Sequence, residues 1–294
     1  LKFAEGRHTI KYRAIDNVGN VEAERIIEVQ SDNTAPVSAW SPSGDRIERG
    51  GKFYLNALGR IVFESADPVI NNVASGVEGI YYRIDAAPAE KYAAPIGLAE
   101  GVRTIKFSAK DNVGNTEVEK STVIYVDGTK PISELSVSGD QYKSDRQYIS
   151  RRTDIVIAAA DPVVEAVAVG VKETKYTIDG GSYNDYFQFK LNAEGKRLVS
   201  FYSTDHVNNV EALKTAELWV DATAPLSAIA VFGGKQYPGV EPGSFYASLA
   251  TKFGFASVDP VVSDGAAGVK TIEYVDNVGT PAVYTQPISL GEGK

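Results

Sequence analysis

Apolar and polar residues alternate along most of the chain, the period expected when an extended strand buries one face. In Thr104-Ile105-Lys106-Phe107-Ser108-Ala109-Lys110, the residues Ile105, Phe107 and Ala109 share a face. The same alternation groups Ile10, Tyr12 and Ala14 earlier, and Val199, Phe201 and Ser203 later. Residues 60–64 and 154–158 carry denser apolar runs and read as more deeply buried strands. Residues 77–84 and 171–178 read as further strands, with Tyr82 and Tyr176 in register and Tyr274 at the equivalent place in the last copy. Asp179-Gly180-Gly181 follows with a tight hairpin signal. No window of ten or more residues shows a capped 3.6-residue period, so the pattern predicts an all-β protein.

These strands recur. Asp16-Asn17-Val18-Gly19-Asn20 returns 95 residues on as Asp111-Asn112-Val113-Gly114-Asn115, and 94 further on as Asp205-His206-Val207-Asn208-Asn209. Asp32, Asp127 and Asp221 open a repeated Asp-x-Thr-x-Pro segment. Asp67, Asp161 and Asp259 open Asp-Pro-Val, with Gly76, Gly170 and Gly268 nine residues later. About seven short strands per repeat, with turn signals every 8–12 residues, fit an immunoglobulin-like sandwich better than its rival, one closed barrel. Proline at the Asp-x-Thr-x-Pro segments ends one strand and stiffens entry to the next. The expected domains are therefore 32–126 and 127–220, flanked by closing strands at 1–31 and opening strands at 221–294. So little linker predicts tandem sandwiches in a rod-like array. The chain opens at Ala4-Glu5-Gly6-Arg7 and closes at Gly291-Glu292-Gly293-Lys294, the same phase of the repeat. Either it is a window of a longer polypeptide, as the absence of Met suggests, or the terminal strands of one subunit complete the open sandwich of the next, head to tail.

Composition narrows the chemistry. A net charge of −8, with Lys and Arg scattered, argues against a nucleic-acid partner. The most apolar stretch, residues 155–171, is interrupted by Asp161, Pro162 and Glu165, so membrane insertion is not expected. With no Cys there is no disulfide, thiolate nucleophile or Cys-ligated zinc. Only two His are present, His8 and His206; neither recurs, and both read as exposed surface residues. No catalytic residue is expected: nucleophilic and zinc mechanisms lack their parts, and a small sandwich without inserted loops offers no deep cleft for a glycosidic acid pair.

The order of motifs resembles the bacterial immunoglobulin-like repeats found in tandem in large surface and secreted proteins. The resemblance rests on Gly76-Val77 before the Tyr82 strand, Ile178-Asp179-Gly180-Gly181, Glu100-Gly101, Asp111 to Asn115, and Val126 to Pro131. It implies an extracellular bacterial setting and a spacer, stalk, adhesive or filament role, with no reaction. His206 and Asn208 depart from the pattern, so that turn is expected to differ in shape.

Three loops of such a sandwich lie at one end. That would gather Asp32, Asp67 and Asp111; Asp127, Asp161 and Asp205; and Asp221 with Asp259. Carboxylates with neighbouring carbonyls are hard oxygen ligands, so structural calcium at the joints is one reading. The other is that these aspartates cap turns. Of the 16 tyrosines, Tyr82, Tyr176 and Tyr274, like Tyr92, Tyr186 and Tyr284, recur in register and read as core. Trp40 and Trp219 are not equivalent, so no repeated platform for a carbohydrate or host ligand emerges. Val69, Val163, Val261, Val18, Val113 and Val207 read as packing at the joints. The expected role is a stalk or filament segment partnered end to end by neighbouring repeats or subunits, with an adhesin or carbohydrate-binding accessory as the alternative.

Overall fold

The computed structural model describes residues 2–276, 279–289 and 291; of the closing Gly291–Lys294 motif, Glu292, Gly293 and Lys294 lie outside the described residues. The described residues form strands and no helix, and none crosses a membrane as a long apolar helix.

The two-residue alternation noted above becomes two-layer packing. A six-stranded sheet runs in the spatial order Arg46–Arg49, Lys52–Asn56, Lys120–Asp127, Gly101–Asp111, Val77–Ile84, Glu90–Lys91. Val37–Ser43 pairs with Arg60–Ala66 as the facing layer. Leu55, Ile61, Phe63, Ile105, Phe107, Ile124 and Val126 fill the space between, all buried. The pattern repeats: Gln141–Lys143, Gln147–Ile149, Lys214–Val220, Gly195–Asp205, Val171–Ile178 and Asn184–Asp185 form the second large sheet. Ile132–Ser138, Asp154–Ala160 and Phe189–Lys190 face it, over Ile149, Ile155, Ile157, Val199, Phe201 and Val220. This is the immunoglobulin-like sandwich. In the third copy Leu226–Phe232, Lys252–Val258 and Ile288–Ser289 form the facing layer.

The closing hairpin occurs three times in one register, Gly6 opposite Ser31, Gly101 opposite Val126, and Gly195 opposite Val220. The repeated tyrosines are core: Phe63 stacks on Tyr82 at 5.8 Å and meets Tyr92 edge-on at 5.2 Å. Phe255 contacts Tyr274 and Tyr284 in the same way, at 5.8 and 5.1 Å. Asp179 and Gly180 adopt φ of 51° and 74°, giving the expected tight turn.

The chain divides into two compact units. The first holds Leu1–Ile132, Ala159–Glu173 and Ser203–Glu211; the second holds Ser133–Ala158, Thr174–Tyr202 and Ala212–Lys294. Two loops of the 127–220 repeat group with the preceding sandwich because they are bonded to it. Asn56 Nδ2 donates to the Val207 carbonyl at 2.9 Å and to Asn209 Oδ1 at 2.8 Å, and Arg49 donates to the Val169 carbonyl at 3.0 Å. Gly101 and Gly195, each the glycine of a Glu-Gly pair, are required by this approach. Gly101 has φ +115°, and a Cβ there would lie 3.0 Å from Glu165 Cβ; at Gly195 it would lie 2.1 Å from the Ser263 carbonyl.

The valines expected at the joints divide. Val207 is fully buried, but Val18, Val113, Val69, Val163 and Val261 are exposed. The Asp-Pro loop instead buries Val73 in one copy and Val167 and Val169 in the next, after turns at Asn71-Asn72 and Glu165-Ala166 that take positive φ. His206 and His8 are half-buried rather than exposed; burial and the nearby Arg49 hold the His206 imidazole below its usual range.

Candidate functional site

Each acid set is placed by strand ends. Asp32 follows Arg25–Ser31, Asp67 follows Arg60–Ala66, and Asp111 ends Gly101–Asp111. One turn of the repeat later, Asp127 and Asp205 end their strands and Asp161 follows Asp154–Ala160. The structure brings both triads together: one carboxylate oxygen from each of Asp32, Asp67 and Asp111 lies within 4.8 Å of the others, and the same holds for Asp127, Asp161 and Asp205. Asp221 and Asp259 also come together, their Oδ2 atoms accepting the consecutive amides of Ala267 and Gly268.

The hydrogen bonds separate what each aspartate does. Asp111 Oδ1 accepts the Val113, Gly114 and Asn115 amides at 3.0, 2.7 and 2.7 Å, and Oδ2 accepts Asn115 Nδ2 at 2.6 Å. Asp205 and the exposed Asp16 make corresponding turns with Asn209 and Asn20. The turn forms at Asp16 without the other acids beside it, so turn-capping explains these three. The expected distortion at His206 and Asn208 does not occur. Asn208 takes φ +62° where Gly114 takes +103°, and the Asp205 turn keeps the same backbone bonds. Asn, like Gly, tolerates that region.

The linker aspartates reach across. Asp32 bonds the Thr34 and Ser75 amides at 3.1 and 2.6 Å, and Asp127 bonds the Thr129 and Val169 amides at 3.2 and 2.7 Å. The Asp-Pro acids are half satisfied. Asp67, Asp161 and Asp259 each accept one glycine amide on Oδ2, from Gly76, Gly170 and Gly268. In all three, the buried Oδ1 takes no hydrogen bond from the protein. A buried acceptor left so costs roughly 1–3 kcal/mol, more if charged, and here the cost recurs in every copy.

A further acid at each site escaped the sequence reading. Glu5, Glu100 and Glu194 stand 95 and 94 residues apart. Glu5 accepts the Asn33 amide and Thr34 Oγ1, Glu100 accepts Gly128 and Thr129, and Glu194 accepts Thr223 Oγ1 at 2.6 Å. The signal was the Glu-Gly pair itself, which marks a strand start but also sets a carboxylate on the linker. Glu5 Oε1 is a further buried oxygen without a bond.

The electrostatics follow from crowding. Burial, together with Asp161 and Asp205, pushes the Asp127 carboxyl up to about 6. Burial likewise raises Asp161 and Asp221, each with another site aspartate adding to it. At Asp32 burial pulls upward too, but the bonds from Ser75 and Thr34 outweigh it and hold the carboxyl below its usual range. Calcium takes oxygens at 2.3–2.6 Å, so opposed ligands lie up to about 5 Å apart. One oxygen from each acid of the two triads falls inside that span, so these residues could hold a cation.

The fold defines a class: repeated immunoglobulin-like sandwiches, with acids collected where the loops of one copy meet the closing hairpin of the one before. Residues 95–197 match the family of bacterial Ig-like domains (group 3). A solved structure of fibronectin(III)-like modules of CbhA from Clostridium thermocellum is 14% identical, covers 62% of this chain and 94% of its own, and superposes with a TM-score of 0.32. No curated protein matches the chain.

Proposed function

We propose that the chain is a non-catalytic mechanical element of a bacterial surface or secreted protein, a stalk or filament segment whose domains 32–126 and 127–220 meet at short joints clamped by calcium. The observation that carries this reading is the recurrence of one joint. Each copy spends a linker aspartate, an Asp-Pro aspartate and a Glu-Gly glutamate on the same few loops, and each leaves the same buried oxygen without a partner. Chemistry built for a reaction has no reason to recur at every joint, whereas stiffness must. The direct bonds from Asn56 and Arg49 to the next repeat support a joint that resists bending. Chelation followed by differential scanning calorimetry tests the clamp: calcium should raise the melting temperature reversibly and magnesium much less. Identical melting in calcium and chelator removes the clamp.

A binding module is the second reading, and one observation favours it. Tyr183 and Tyr202 meet edge-on at 5.3 Å, and Phe187 is exposed. The equivalent positions one repeat earlier are Ala89, Ser108 and Ala93. Aromatic residues found at these positions in one copy only suit a saccharide, which stacks on such rings. Retention on immobilised polysaccharide that disappears in Phe187→Ser would support it; no retention leaves the mechanical reading alone.

A further inference from the structure

A module under tension is loaded at its two chain ends, so the contacts that tie its first strand to its last decide how it yields. In the 32–126 repeat those chain ends lie at opposite ends of the sandwich. Gly101–Asp111 runs its length, with Asp111 beside Asp32 at the entry and Gly101 opposite Val126 at the exit. The first strand, Val37–Ser43, pairs with Arg60–Ala66 in a two-stranded sheet; the last, Lys120–Asp127, belongs to the six-stranded sheet that faces it. Apolar packing between the layers is non-directional and resists sliding poorly. Directional bonds across the gap resist it well.

One cluster of side chains makes such bonds. Glu117, in the connection between Gly101–Asp111 and Lys120–Asp127, accepts the Ser38 amide at 3.0 Å, the Ser38 hydroxyl, and the Ala109 amide at 3.1 Å. Lys120 Nζ donates to the Ser38 carbonyl and pairs with Glu117 Oε1. Both backbone polar groups of Ser38 are thereby held by side chains, in the place of a neighbouring strand. Ser38 is 2% exposed and the Glu117 side chain 9%. Burial pulls the Glu117 carboxyl upward, but the bonds from Lys120, Ser38 and Ala109 outweigh it and hold it below its usual range. Apolar residues of the same volume stabilise a resting fold as well as a buried ion pair does. What the ion pair adds is direction.

The cluster recurs in the next repeat. Glu211 and Lys214 stand 94 residues after Glu117 and Lys120, and Ser133 stands 95 after Ser38. Lys214 Nζ donates to the Ser133 carbonyl. Glu211 Oε1 accepts the amide of Ser203, which occupies the place of Ala109, at 2.7 Å. Glu211 and Ser133 are both buried.

We propose that Glu117 and Lys120 form a load-bearing clasp, gripping Ser38 so that tension entering at Val37 passes directly to the closing hairpin. Glu211 and Lys214 do the same for Ser133. The proposal rests on the mechanical reading above and names the contacts that carry its load. Val37 stands opposite Ala66, which precedes Asp67 at the entry, so tension draws the first strand along its own axis. Its bonds to Arg60–Ala66 then share the load rather than opening one by one. The clasp sits one residue from the loaded end, where it must break before the strand can slide.

Single-molecule force spectroscopy of the 294-residue chain tests the proposal, because each of its complete sandwiches gives its own unfolding event. In Glu117→Gln one event should move to lower force, with unfolding under load about tenfold faster, the factor that goes with about 1.36 kcal/mol. Glu117→Gln combined with Glu211→Gln should lower both events. Lys120→Met, at a side chain 41% exposed, is a milder variant and should shift the same event as Glu117→Gln. Ile80→Val is the control: it trims the core on Val77–Ile84, a strand that carries neither chain end, and should lower the melting temperature while leaving both forces in place. Forces unchanged in Glu117→Gln and Lys120→Met would overturn the clasp. So would an equal loss of force in Ile80→Val at a matched loss of melting temperature, which would make the clasp ordinary stabilisation. Both of these results leave the mechanical reading standing. A parent chain whose sandwiches unfold without measurable resistance would overturn the clasp and that reading together.

Discussion

Replacing Asp161 by Asn should change stability in opposite directions depending on calcium. Asp161 Oδ2 accepts the Gly170 amide at 2.6 Å, and its buried Oδ1 accepts nothing. Its carboxylate lies within 4.8 Å of those of Asp127 and Asp205. An asparagine keeps the bond to Gly170 through its oxygen and turns an NH₂ donor toward two acceptors. One like charge leaves the site, and the orphaned atom gains partners. Relief of a buried unsatisfied acceptor amounts to roughly 1–3 kcal/mol. For a domain of this size each kcal/mol moves the midpoint by about 4–8 °C. In chelator, Asp161→Asn should therefore melt several degrees higher than the parent. In calcium at about a hundred times its Kd, the parent gains about 2.7 kcal/mol at that joint, and the variant forgoes it. The order of melting temperatures then reverses. Calorimetry of both proteins in both solutions decides the matter. An Asp161→Asn chain less stable than the parent in chelator would refute the argument that the acids repel and lack a partner.

Other consequences are as direct. Without metal, the folded state holds on Asp127 a proton that the unfolded chain releases near pH 4, because burial and its acidic neighbours push this carboxyl up to about 6. Its contribution is thus most favourable below about pH 4 and is lost as pH rises through about 6, by up to roughly 3 kcal/mol at 1.36 kcal/mol per pH unit. Melting in chelator should be higher at pH 5 than at pH 7, with the order reversed in saturating calcium, and a fall on acidification in chelator contradicts this. Asn56→Ala removes two bonds to the following repeat, at about 1 kcal/mol each, and should speed hydrogen exchange at Val207 and Asn209; unchanged exchange would mean those bonds do not hold the joint. Tyr176→Ala deletes a ring stacked 4.2 Å from Phe189 and should cost about 3–5 kcal/mol, enough to unfold its sandwich by circular dichroism.

How far the sequence carried these conclusions depended on whether the physics was local. Alternation at 104–110 and the tyrosines at Tyr82 and Tyr176 identified strands and core, because a strand's two faces are written into every second residue. The acid triads followed from one more step, the ends of strands lying together in a sandwich. Turn chemistry at Asp205 is only partly legible: Asn208 departs from Gly114 in residue type, but both occupy the positive-φ region and leave the turn unchanged. The joint valines failed for a different reason. Which side of a loop faces its neighbour is set by backbone turns such as Glu165 and Ala166, both at positive φ, and those conformations leave no trace in hydropathy. Glu5, Glu100 and Glu194 were visible as a repeated pair, yet their carboxylates join the linker through contacts 28 and 29 residues away in sequence. The unpaired Oδ1 of Asp161 needed coordinates, since only three-dimensional placement tells a satisfied acceptor from an orphaned one.

Small-angle X-ray scattering of the chain in calcium and in chelator tests the central claim, that repeated acid joints hold the modules stiffly through a bound cation. The account predicts a longer maximum dimension and a sharply defined cross-section in calcium, with a shorter and broader distance distribution once the ion is removed. Superimposable profiles in the two solutions would contradict it.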